Sequence, residues 1–292
     1  MKMRMLVVVT LGVVGIPLAH AAEVGAQTPS DPVAQALEKQ VRQFIEQDQN
    51  YQAAVTAYAQ AARTHPTDAY YRDQFALMRS VAKLQAALAG EPVAEKWRVS
   101  AEAVRAYLYS RGFYQAALAV DQAAYERFKD LPSAARKLES LLLAGQDSQA
   151  QSFVQSLGQI AADAAPARWP TLCAVALARS GKTAEALAAV ADVKVNPQEN
   201  LTSLFDLARV FKAAGKTDDA MQALRLFLEH TVPTEMATSQ SMITLCADFK
   251  DLQGQEQFKT VLATQSKVAQ SGCTGGSNCS TCALKGKCAT SK

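Results

Sequence analysis

Four glycines punctuate the middle of this chain at nearly one interval: Gly112, Gly145, Gly181 and Gly215 are separated by 33, 36 and 34 residues. A chain marked this regularly folds as a series of similar units, each packed on the next, and not around one closed core. Each glycine is followed five residues later by an alanine (Ala117, Ala150, Ala186, Ala220), small enough to let the second helix of a pair approach the first. From residue 31 onward apolar residues recur at spacings of three and four, the period of amphipathic helices, and strand-like alternation is missing. Asp31-Pro32 supplies an N-cap and a first-turn proline for the first helix. Ala69 to Leu88 reads as one long helix, broken at Gly90-Glu91-Pro92. Pro66, Pro132, Pro166, Pro197 and Pro233 recur near the ends of second helices, where a proline stops the helix.

Aligned on the glycines, the units share a pattern. One reads Leu207-Ala208, Phe211, Gly215, Ala220, Leu224, Phe227 and Pro233; another reads Asn50-Tyr51, Ala54, Tyr58, Ala61 and Pro66. Around Gly181 stand Cys173, Ala174, Leu177, Ala186 and Val190, and a degenerate last unit reads Leu245-Cys246, Phe249, Phe258 and Leu262. Over residues 32–268 the chain thus resembles the tetratricopeptide repeat (TPR) family, whose unit is a helix-turn-helix of about 34 residues. The resemblance implies an all-α fold of antiparallel helix pairs stacked into a right-handed superhelix. Its inner face would be lined by the first helix of each pair and open to a protein or peptide segment. The family's phase puts Glu102, Tyr109, Arg168, Arg179, Arg209 and Lys212 on or near that face as candidate partner-binding residues. Arginines there would grip a partner's carboxylates through their bidentate fork. The Lys/Asn arrangement with which some members clamp a C-terminal carboxylate is not reproduced, so a chaperone-tail receptor is not supported.

The two ends differ from the body. Lys2 and Arg4 precede an apolar run from Met5 to Leu18 that closes on Ala19-His20-Ala21. A charged start, a run too short to span a bilayer and an A-x-A end make residues 1–21 a signal peptide. Residues 22–31 read as a flexible leader. The expected protein is exported, to the periplasm or the medium, with no membrane span once the signal is removed. Its surroundings would then permit disulfides.

The segment 269–292 holds Cys273, Cys279, Cys282 and Cys288 in the spacing C-x5-C-x2-C-x5-C among Gly, Ser, Thr and Lys. Hydrophobic burial cannot order such a tail. Three readings stand: two disulfides in any of three pairings, a four-thiolate site for Zn, an Fe–S cluster or Cu(I), or a C-x-x-C dithiol. Cys173 and Cys246, by contrast, take small core-facing positions two units apart and read as buried hydrophobes.

Charge and histidine content narrow the function. The formal charge of +3 drops to about +1 without Lys2 and Arg4, which gives no bulk attraction for nucleic acid or an anionic membrane. Only His65 and His230 follow the leader, too few and too far apart for His-based catalysis. Asp218-Asp219 opens a second helix, where acids complement the exposed amides. Lys182-Thr183 and Lys216-Thr217 lack the rest of a phosphate loop. The expectation is a binding scaffold and not an enzyme, with a metal- or thiol-handling tail as the competing reading.

Overall fold

The computed structural model of the protein describes residues 31–158 and 168–268. Every regular element among the described residues is a helix, with no strand among them. In chain order the α-helices are α1 (Pro32–Glu46), α2 (Tyr51–Thr64), α3 (Ala69–Leu88), α4 (Ala94–Ser110), α5 (Tyr114–Phe128), α6 (Leu131–Leu143) and α7 (Asp147–Leu157). They continue with α8 (Trp169–Arg179), α9 (Thr183–Val190), α10 (Pro197–Asn200), α11 (Thr202–Ala213), α12 (Thr217–His230), α13 (Met236–Leu245) and α14 (Glu256–Leu262). Short 3-10 turns span Pro233–Glu235 and Ala247–Leu252.

The starts are set by caps. The carboxylate of Asp31 accepts the amides of Val33 and Ala34, Asn50 that of Ala53, Asp68 that of Tyr70 and Asp130 that of Ser133. Each satisfies a donor that the first turn leaves without a helical partner. The four periodic glycines all stand between the helices of a pair at φ from 64° to 82°, the left-handed region that costs a side chain about 1–2 kcal/mol. At Gly112 a Cβ would also come within 3.0 Å of Leu245, whereas at Gly181 it would meet open space. We therefore expect Gly181→Ala to lower stability by about 1–2 kcal/mol and Gly112→Ala by somewhat more. Denaturant midpoints check this, and two silent substitutions would contradict it.

The prolines do more than stop helices. Pro132 sits in the first turn of α6, Pro197 opens α10 and Pro233 opens a 3-10 turn, so each starts the element that follows. A first turn tolerates the fixed φ and the missing amide. Pro166 lies outside the described residues.

Successive helices pack on one another: α2 on α3, α5 on α6, α8 on α9 and α11 on α12. Beyond these, α6 lies on α8, α8 on α11, and α11 on the Ala247–Leu252 turn. Three apolar clusters follow along the chain. The first joins α1 to α5 through Val41, Tyr58, Met78, Trp97 and Leu108. The second joins α6 to α11 through Leu138, Leu142, Trp169 and Leu172. The third gathers Phe205, Phe227, Phe249 and Phe258, and reaches back to Tyr114 of α5.

Two contacts cross the order of the chain. Arg42 of α1 donates to the carbonyls of Arg111 and Gly112, and Glu46 accepts the amide of Ala116. Beside that turn, which Leu245 approaches at Gly112, α13 packs against α4. The last unit has no continuous first helix. α13 ends at Leu245, Cys246 is extended at φ −71° and ψ 123°, and the chain resumes as a 3-10 turn. Among the described residues no helix is long and apolar enough to cross a membrane.

Candidate functional site

Consecutive helix pairs are joined by a row of alternating carboxylates and guanidiniums. It begins at Asp121 of α5, whose two oxygens accept from Nε of Arg105 in α4 at 3.1 and 3.0 Å. The same guanidinium reaches Glu139 of α6. Glu139 also receives Arg168, the residue just before α8, and Arg168 turns its Nε and Nη2 in a fork onto Asp206 of α11 at 2.6 and 2.9 Å. Asp206 lies 3.4 Å from Nη1 of Arg209, one helical turn later. Arg209 donates through Nε to Asp248 at 2.7 Å, and Asp248 binds Arg179 of α8 from its other oxygen at 3.0 Å. Arg179 finishes the row on the carbonyl of Leu142 and on Asp147.

Hydroxyl groups add further hydrogen bonds. Ser140 donates to Asp121 at 2.5 Å and in turn accepts from Tyr109 at 2.8 Å; the Tyr109 ring lies 4.0 Å from the Arg105 guanidinium. Thr171 lies 3.3 Å from Asp206.

Nearly all of this is buried: Asp206 and Arg209 have side chains 0% exposed. Isolated charges at such depth cost several kcal/mol each, so the row persists only because every charge has an opposite neighbour and further hydrogen bonds. The ionisation of its members follows. Burial pushes the Glu139 carboxyl up, but Arg168 and Arg105 outweigh it and hold the group down at about 2. Burial likewise opposes, and Arg209 and Arg179 overcome, at Asp248, also held at about 2. Arg168 and Arg209 lose to desolvation yet gain more from Asp206, Glu139 and Asp248, and stay charged above the usual arginine range. Asp121 goes the other way: burial raises it despite Arg105.

Of the six residues that the sequence puts forward for a partner, Tyr109, Arg168, Arg179 and Arg209 come together in this row. The hydrogen bonds they make go to the chain's own groups, and Nη2 of Arg209 is buried without a partner. Glu102 and Lys212 stand one helical turn from it, in ion pairs with Arg136 and Asp251. These two pairs meet solvent, with Glu102 48% and Asp251 65% exposed.

Sequence reasoning missed Arg105, Asp121, Glu139, Asp206 and Asp248. A signal existed for two of them: Arg105 and Glu139 stand 34 residues apart, opposite charges at the repeat interval. Cys246 is buried and Cys173 half-buried, and burial pushes both thiols up to about 12, which leaves them protonated at neutral pH. Cys273, Cys279, Cys282 and Cys288, the signal peptide and nearly all of the leader lie outside the described residues.

A second feature sits at the first helix pair. Between α1 and α2 runs a groove of about 660 Å³ with an apolar floor that includes Val33, Leu37, Phe44, Ala53 and Ala57. His65 stacked on Tyr71 lies at one end, and the Tyr71 hydroxyl is anchored on Asp31.

No protein-family model matches the chain, and no curated protein or solved structure matches it either.

Proposed function

We propose that this protein is an exported, non-catalytic scaffold, a TPR-like superhelix that holds a protein or peptide segment along the face carrying the arginine–carboxylate row. The observation that carries this reading is the row itself. It ties α4, α5, α6, α8, α11 and the Ala247–Leu252 turn together, so the face is preorganised and little ordering cost attends a partner's arrival. In this arrangement the buried arginines set the shape, and the pairs Glu102–Arg136 and Lys212–Asp251 are the charges a partner meets. A segment of alternating charge suits them better than a purely acidic one. The Cys-rich tail then serves as an appendage, stapled by disulfides or closed on Zn or an Fe–S cluster.

Site-specific photo-crosslinking in the native compartment tests the reading. A crosslinker at Glu102 or Lys212 captures the same protein, a crosslinker at Gln155 on the exposed side of α7 captures none, and truncation after Gln270 leaves capture unchanged. If capture disappears with the tail, or never occurs from Glu102 and Lys212, the tail and its cysteines are the active element.

A further inference from the structure

We propose that an internal water binds between Nη2 of Arg209 and the hydroxyl of Tyr114, beside the Cys246 sulfur, and completes the buried row from within. The row leaves one of its own donor groups over. Arg209 gives Nε to Asp248 and holds Nη1 3.4 Å from Asp206, but its Nη2 meets neither solvent nor an acceptor among the described residues. The whole side chain is 0% exposed. A guanidinium nitrogen at that depth carries N–H donors of a charged group, and leaving them bare forfeits their full hydration.

A second unpartnered group belongs to the same neighbourhood. The Tyr114 hydroxyl of α5 is also buried with no partner among the described residues. Tyr114 packs in the cluster that holds Phe205, Ala208 and Cys246. Arg209 follows Ala208 on α11, and its guanidinium lies 5.6 Å from the centre of the Phe205 ring. Cys246 donates its thiol to the same Asp248 oxygen that Nε of Arg209 binds, so sulfur and guanidinium flank one carboxylate. The sulfur and the Arg209 charge are also the strongest electrostatic neighbours of the Tyr114 phenol. A donor from α11, a hydroxyl from α5 and a sulfur from the break after α13 thus come together, yet Nη2 and the hydroxyl do not bond each other.

The chemistry of the three groups selects a neutral acceptor. An internal water takes two to four polar partners, and its oxygen can accept from Nη2 while it exchanges a hydrogen bond with the phenol. The charges of the row are already balanced. Arg105, Arg168, Arg179 and Arg209 stand against Asp121, Glu139, Asp206 and Asp248, with Asp147 at the rim. A halide or small carboxylate would bury one more negative charge with no cation left to pair it. Water adds hydrogen bonds and no charge. The inference stands apart from the scaffold reading, because it needs neither a partner nor the tail.

A high-resolution crystal structure of the purified protein, grown with bromide in place of chloride, tests the assignment. The expected result is one density peak about 2.7–3.2 Å from both Nη2 of Arg209 and the Tyr114 oxygen, without anomalous signal from bromide. A bromide peak there overturns the proposal in favour of an anion site. A direct bond between Nη2 and the hydroxyl overturns it too, as does a map with no peak between them. Magnetic relaxation of isotope-labelled water checks the second anchor in solution. Tyr114→Phe keeps the ring and removes one hydrogen bond, so the residence time of the water falls about tenfold, the factor that about 1.4 kcal/mol gives. A residence time unchanged by that substitution overturns the assignment.

Discussion

Asp206→Ala lowers the free energy of unfolding by about 3–5 kcal/mol, the loss expected when one partner of a buried ion pair is removed and the other charge remains. Asp206 holds the fork of Arg168 and lies within reach of Arg209 and Thr171, with no exposure to water. Its removal leaves Arg168 with Glu139 as its one carboxylate partner, and Arg209 with Asp248. Asp206→Asn keeps shape and an acceptor, so it falls between the wild type and the alanine variant. Asp251→Ala is the control. That carboxylate is 65% exposed in its pair with Lys212, and its loss changes stability by about 0.5 kcal/mol or less. Guanidinium denaturation of the three variants checks the order. An Asp206→Ala variant within about 1 kcal/mol of wild type would remove the buried row from any account of stability.

Stability also falls steeply on acidification. Glu139 and Asp248 are held at about 2 in the folded protein, from ordinary values of 4.5 and 3.8. A carboxyl depressed by folding contributes fully above its unfolded value, and that contribution is lost as pH drops through the folded value. The window therefore runs from about pH 5 down to about pH 2. Two shifts of about 2 pH units each, at 1.36 kcal/mol per unit, amount to on the order of 5 kcal/mol. Asp121 subtracts from this: burial raises its carboxyl, so it takes up a proton earlier and favours the folded state as the pH falls. Asp130 is also held at about 2, but by surface contacts with Ser133 and Arg98 that solvent screens, so it adds little. Denaturant midpoints that fall by several kcal/mol-equivalents between pH 5 and pH 2.5 are the expected result. A flat profile over that range would contradict it.

The helices were legible in the sequence because their signals are local. The Asp31 cap, the long α3 and the glycines between paired helices are each decided within a few residues. The buried row was legible only by half. A helical phase marks Arg168, Arg179 and Arg209 as neighbours in space, but it cannot show that carboxylates from other helices reach them first. Arg168 illustrates the difficulty, since its two partners lie 29 and 38 residues away on α6 and α11. Hence the arginines that the sequence offers to a partner are occupied by Glu139, Asp206 and Asp248. The break at Cys246 was equally hidden. Leu245, Cys246 and Phe249 fit a continuous helix by spacing, yet the folded chain turns there, sending α13 to α4 and bringing Asp248 between two arginines.

The buried arginines serve the chain's own carboxylates and so hold successive helix pairs together. A double-mutant cycle between Arg168 and Asp206, with Arg168→Met and Asp206→Leu alone and combined, tests it most directly. The account predicts a coupling free energy of about 2–3 kcal/mol, the double variant being far more stable than the sum of the single losses implies. Additivity to within about 0.5 kcal/mol would contradict it.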